Sequence, residues 1–151
     1  MEVFIEAIRG SRDKGVFNEE TGERIATRTA LLPYPYPYGF ITGTPGGDDG
    51  DCLDCYVITM RSLAVGGRYT CEPVGLLEMF EDGEEDHKIL ARLADEPEAP
   101  GSTGNRQALR DGLAAFITGI FTAYPEAAVS VGALRSAGEA EQLVRSRSGP
   151  V

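Results

Sequence analysis

The sequence predicts a mainly β protein with its α-helices gathered toward the carboxy-terminal end, an α+β chain. Short apolar runs bounded by Gly/Asp turns recur through the first 93 residues, as strands do. Apolar residues at helical spacing begin only after residue 104. Between the two regions lies Glu96 to Gly104, rich in Pro, Gly and Glu, which reads as a loop.

In chain order, Val3 to Ile8 reads as the opening strand. Leu32-Pro33-Tyr34-Pro35-Tyr36-Pro37 is expected to run extended, because proline fixes its own φ and restricts the residue before it. That run looks like a proline-rich partner motif, but a stiff strap ending at a pocket is the preferred reading. Tyr56 to Met60, Arg68 to Glu72, Val74 to Met79 and Lys88 to Leu93 follow as strands, joined by turns such as Gly66-Gly67. Leu109, Leu113, Phe116, Ile117, Ile120, Phe121 and Tyr124 then fall on one helical face. Ser136 with Glu139 forms a capping box for a last short helix carrying Ala140, Leu143 and Val144. The tail from Ser146 to Val151 is expected to fray. No internal repeats occur.

At 151 residues the chain is expected to form one domain, 1–151, with a core that needs no disulfides. A net charge of −10 argues against nucleic acid or anionic membrane as partner. No signal peptide precedes Met1-Glu2-Val3 and no apolar run reaches membrane length, so a cytoplasmic location is expected. Cys52 and Cys55 form a C-x-x-C, which Cys71 and His87 would have to complete as a zinc site. Small buried thiols are the preferred reading, with Cys55 alternating against Asp54 and pointing into the core.

The most informative segment is Asp49-Gly50-Asp51-Cys52-Leu53-Asp54, which runs straight into the apolar Tyr56-Val57-Ile58. Carboxylates this close repel one another unless cations lie between them. Hard oxygen donors at the mouth of a core strand suit magnesium or manganese, which usually bring a phosphate with them. A solvated turn is the plain alternative, and the spacing does not fit a helix-flanked calcium loop. A second acidic cluster, Glu81-Asp82-Gly83-Glu84-Glu85-Asp86-His87-Lys88, also feeds an apolar strand, which weighs against mere surface decoration. Of 14 basic residues only Lys14 and Lys88 are lysine, so a compact ammonium is expected to matter at those positions.

These residues resemble the soluble family I inorganic pyrophosphatases. Asp49, Asp51 and Asp54 match the family's Asp-x-Asp-Pro-x-Asp signature, with Cys52 at the proline. Glu81 with Asp86-His87-Lys88 is similar to its second motif, an Asp followed by Asp-x-Lys. Val3-Phe4-Ile5-Glu6, Gly10-Ser11-Arg12-Asp13-Lys14, Glu20-Thr21-Gly22 with Arg28, Tyr38-Gly39-Phe40-Ile41 and Phe121-Thr122-Ala123-Tyr124 resemble further family segments in the same order. The resemblance implies an OB-like closed β-barrel flanked by two carboxy-terminal helices. It implies Mg²⁺-dependent hydrolysis of pyrophosphate, with Mn²⁺ able to substitute, in a homo-oligomer, trimer or hexamer.

By the same resemblance Asp49, Asp54 and Asp86 hold metal, joined by Glu81 and Glu6, and Asp51 is the base for the attacking water. Lys14, Arg28, Lys88 and Tyr124 hold phosphate oxygens, and Tyr38 ties the network. The chain departs from the family at Gly15 (usually tyrosine), Val16 (glutamate), Thr27 (aspartate), Glu81 (aspartate) and Pro125 (lysine). The losses of bulk and charge at Gly15, Val16 and Pro125 leave open a diverged hydrolase of organic or nucleotide diphosphates; a metal-binding homologue without catalysis is a further alternative.

Overall fold

The computed structural model describes residues 1–45, 50–97 and 105–148. Its elements in chain order are β1 (Glu2–Ala7), β2 (Asp13–Phe17), β3 (Arg24–Thr29), β4 (Tyr38–Ile41), β5 (Asp54–Val57), β6 (Arg68–Glu81), β7 (Glu84–Glu85), β8 (Lys88–Leu93), α1 (Arg106–Phe121), β9 (Val129–Arg135) and α2 (Ala137–Arg147).

Strands β1, β4, β5, β8 and β6 pair in that order, and Glu2 to Phe4 of β1 pair back onto Arg68 to Thr70 of β6. The five strands therefore close on themselves, the OB-like ring expected from the resemblance. All these pairings are antiparallel except β5 with β8. The register shift between Pro73 and Gly75 lets β6 continue past a residue that cannot donate to the ladder. The sequence reading split this segment at Pro73, whereas the proline sits at an irregularity inside one long strand. Beyond the ring, the far half of β6 pairs with β9 and with β7. β2 and β3 form a separate hairpin.

Strand alternation sorts the core into two sides. Val3, Ile5, Ile41, Cys55, Val57, Ile89, Ala91 and Leu93 fill the ring, where α2 adds fully buried Ala140 with Leu143 and Val144 packed on it. Tyr38, Tyr56, Ile58, Leu77, Met79 and Leu90 face the other way and pack under Leu109, Leu113, Phe116 and Ile117 of α1. Gly39 permits the close approach of β1 and β4, because a Cβ there would collide with the Phe4 carbonyl. Cys55 and Cys71 are free thiols buried among apolar side chains, and burial raises both.

Several boundaries differ from the sequence reading. β5 begins at Asp54 and ends at Val57 rather than running from Tyr56 to Met60. Helix α1 ends at Phe121, so Tyr124 lies beyond it, in a turn closed by its N–H donating to the Phe121 carbonyl at 2.9 Å. Helix α2 runs through Ser146 to Arg147 instead of fraying there, because Arg147 finds a distant partner. Among the described residues no helix is long and apolar enough to cross a membrane.

Candidate active site

The parallel register of β5 and β8 sets Asp54 directly beside Lys88. Both stand on the α1 side of the sheet, at the strand ends, in the same alternation as Tyr56 and Leu90. The Lys88 ammonium, 7% exposed, donates to Asp54 Oδ2 at 2.6 Å and to Asp86 Oδ2 at 3.2 Å. Burial alone lowers a lysine, but these two carboxylates outweigh it and hold the Lys88 pKa above its ordinary value. The Tyr38 ring is close to both of the chain's lysines, its centroid 5.8 Å from Lys88 Nζ and 5.4 Å from Lys14 Nζ. Burial, then Asp54, raises the Tyr38 phenol, so it stays a neutral donor.

Glu6, 7% exposed on β1, faces the same space. Burial pushes its carboxyl up to about 7, with Lys14 opposing the shift and Asp54 and Glu19 reinforcing it. Glu81, at the end of β6, is raised by burial, then by Asp86 and Asp82. Asp82 and Gly83 have φ of 53° and 82°, and positive φ at both central residues of a two-residue hairpin loop suits an Asp-Gly pair. Asp82 is committed elsewhere, its Oδ1 accepting the Ala128 N–H at 2.9 Å.

The segment carrying Asp51 is held from three directions. Arg147 Nη2, from the end of α2, donates to the Asp51 carbonyl at 3.0 Å. The Cys52 N–H donates to Glu19 Oε1 at 3.0 Å, and the Leu53 N–H to Thr44 Oγ1 at 3.0 Å. On the opposite wall Lys14 and Arg28 are direct cross-strand partners in the β2–β3 hairpin. Like charges facing one another across a ladder are destabilising unless an anion lies between them.

Together these residues line one continuous cleft. A polar compartment of about 410 Å³ includes Glu6, Lys14, Arg28, Asp51, Asp54, Glu81 and Asp86. A second of about 520 Å³ shares Lys14, Arg28, Asp54, Glu81 and Asp86 and adds Tyr38, Lys88 and Tyr124. Every expected site residue among the described residues thus reaches the cleft, and Asp49 lies outside those residues. His87 lines it as well, but its Nδ1 accepts the Met79 N–H at 3.1 Å. Cys55 points into the barrel, away from His87, so the cysteines and histidine do not converge on a zinc site.

Sequence reasoning missed Glu19 and Arg147, which have no local signal because their partners lie 33 and 96 residues away. Arg147 Nε is buried with no hydrogen-bond partner among the described residues. Arg147→Ala loses a hydrogen bond from a charged donor, worth roughly 1.5–3 kcal/mol of stability, and is expected also to cut turnover about tenfold at temperatures where the chain stays folded. Steady-state kinetics beside a melting curve checks it, and a lowered melting temperature with unchanged turnover would mark a purely structural contact.

The sequence model of the inorganic pyrophosphatase family matches residues 3–148. The chain belongs to that family. It is 38% identical over 99 residues to an inorganic pyrophosphatase from Synechocystis, covering 64% of this chain and 58% of that protein. The chain therefore spans less than two thirds of the length of the curated relatives it matches. An inorganic phosphatase from Anaplasma phagocytophilum superposes with a TM-score of 0.85 at 28% identity, over 98% of this chain and 91% of that one. An inorganic pyrophosphatase from Thermus thermophilus gives 0.85 at 25%, over 98% and 88%.

The inorganic pyrophosphatase family implies a divalent metal cofactor. The donor chemistry fits one, since Glu6, Asp51, Asp54, Glu81 and Asp86 are hard carboxylates around a single polar compartment. Two of these, Glu6 and Glu81, are raised by burial, the state of a carboxylate short of a counter-charge. Among the described residues no three such side chains converge as a preformed cage. The Lys88 ammonium stands between Asp54 and Asp86 instead.

Proposed function

We propose that this chain hydrolyses inorganic pyrophosphate to two phosphates with Mg²⁺ as cofactor, Mn²⁺ being able to substitute. The observation that carries this reading is the opposition of charge across one cleft. Lys14 and Arg28, paired across their hairpin, line the same cleft as Asp54, Glu81 and Asp86.

Asp49, Asp54 and Asp86 would hold the activating cations, and Glu81 and Glu6 would help bind those that arrive with substrate. Such cations would neutralise phosphate oxygens and make water more acidic. Asp51 takes a proton from the attacking water, on a backbone fixed by the contacts at its own carbonyl and at the next two amides. Lys14, Arg28, Lys88 and Tyr124 hold phosphate oxygens as charge shifts to the leaving phosphate. Tyr38 packs against both ammonium groups and supplies a neutral hydroxyl. We place the chain in the cytoplasm, as one domain in a trimer or hexamer.

Phosphate release from pyrophosphate, measured with Mg²⁺ and after chelation, tests this. Turnover that requires the cation is expected. No release at saturating pyrophosphate and Mg²⁺ would remove the reading.

A further inference from the structure

The cleft does not end at its phosphate-facing cations. Past Lys14 and Arg28, the far wall of the second compartment is formed by Leu31, Tyr34, Ile117, Ile120, Phe121 and Tyr124. Leu31 is 48% and Tyr124 50% exposed, so large apolar surface is left facing the cavity mouth. Pyrophosphate gains nothing from such a wall, because all its outer atoms are charged oxygens that need donors.

The wall is rigidly tied to the cationic pair. A Cβ on Gly119 of α1 would lie 2.5 Å from Leu32 Cδ1, so the proline-rich strap sits directly on the helix and holds Leu31 at the rim. The strap is pinned in turn to the turn before β2: the Tyr34 N–H donates to the Ser11 carbonyl at 2.9 Å, and the Gly10 N–H to the Tyr34 carbonyl at 2.8 Å. Lys14 follows on the same strand. Pro125, next to Tyr124, brings neither charge nor an N–H donor to this end of the cleft.

We propose that this compartment is a subsite for the organic group of a diphosphate monoester, an aromatic or short branched apolar substituent. The inference rests on the diphosphate-hydrolase reading and names a wider substrate class for the same site. Lys14, Arg28 and Tyr124 hold the substituted phosphate, and the terminal phosphate lies toward Asp54 and Asp86. The water oxygen bonds to the terminal phosphorus, and the bond from that phosphorus to the bridging oxygen breaks. Its electron pair stays on the organic monophosphate. One water proton passes to Asp51 and on to solvent, and the other remains on the inorganic phosphate released.

The test is calorimetric binding of methylenediphosphonate and of its phenyl monoester, which cannot be cleaved at the carbon bridge, in the presence of Mg²⁺. The phenyl ester is expected to bind about tenfold more tightly, as partial burial of one ring in an apolar site implies. Leu31→Asp, a change at a half-exposed position that the fold tolerates, should erase that advantage. Equal or weaker binding of the phenyl ester, or an advantage that survives Leu31→Asp, overturns the subsite. If the parent diphosphonate binds while pyrophosphate is not turned over, the hydrolase reading fails and the comparison of the two ligands still decides the subsite. Binding of neither overturns both.

Discussion

Lys88→Met is expected to lower turnover by about 10²–10³, the loss seen when one preorganised donor to developing charge is removed. The same change strips the cation from two carboxylates. Breaking a buried pair by removing one partner costs about 3–5 kcal/mol. Asp54 and Asp86 are 27% and 34% exposed, so water takes up part of their charge and the low end of that range applies. What separates this variant from ordinary damage is its response to metal. With the ammonium gone, a divalent cation meets no competitor between Asp54 and Asp86, so Mg²⁺ should restore most of the lost melting temperature without restoring turnover. Melting curves and kinetics with and without Mg²⁺ check this. A variant that Mg²⁺ does not rescue in stability would show that Lys88 holds the strand ends together rather than the phosphate.

Asp51→Asn is expected to cost about 10²–10⁴ in turnover, the usual contribution of a general base, while metal affinity changes little. Asparagine fits the same space, and the backbone contacts at Asp51, Cys52 and Leu53 survive the change. Asp54→Asn should behave in the opposite order. It removes a carboxylate from both compartments and from the Lys88 pair, so metal binding weakens first and turnover falls as a consequence. Titration of Mg²⁺ against both variants distinguishes them. Equal loss of affinity would remove Asp51 as the base.

Much of the frame was legible in the sequence because burial in this fold follows simple periods. The β8 segment declares itself as a short continuous apolar run and the α1 stripe by helical spacing, and Ser136 does cap α2, accepting the Glu139 N–H at 3.2 Å. β9 escaped notice. Its Val129–Arg135 segment carries Gly132 and no fully buried side chain, and it is a strand because β6 offers an edge. Gly132 fits there because Glu78 crowds the position: a Cβ at residue 132 would lie 3.0 Å from Glu78 Cβ. The β2–β3 hairpin was readable only by resemblance, since every residue of β3 is exposed and no apolar pattern marks it. In the site, carboxylates and lysines declared themselves by clustering. Glu19 and Arg147 did not, because a contact to a distant backbone group leaves no trace in local composition.

That same pair gives the site a particular relation to local unfolding. The peptide units of Asp51 and Cys52 are fastened to the β2–β3 loop through Glu19 and to the last turn of α2 through Arg147. Elements of this kind, exposed and lightly packed, open far more often than a closed barrel does. The backbone that carries the proposed base is therefore only as well fixed as these two exposed elements are docked. Activity should fade with temperature before the barrel melts, along a pre-transition set by the opening free energy of the hairpin and of the α2 terminus rather than by global stability.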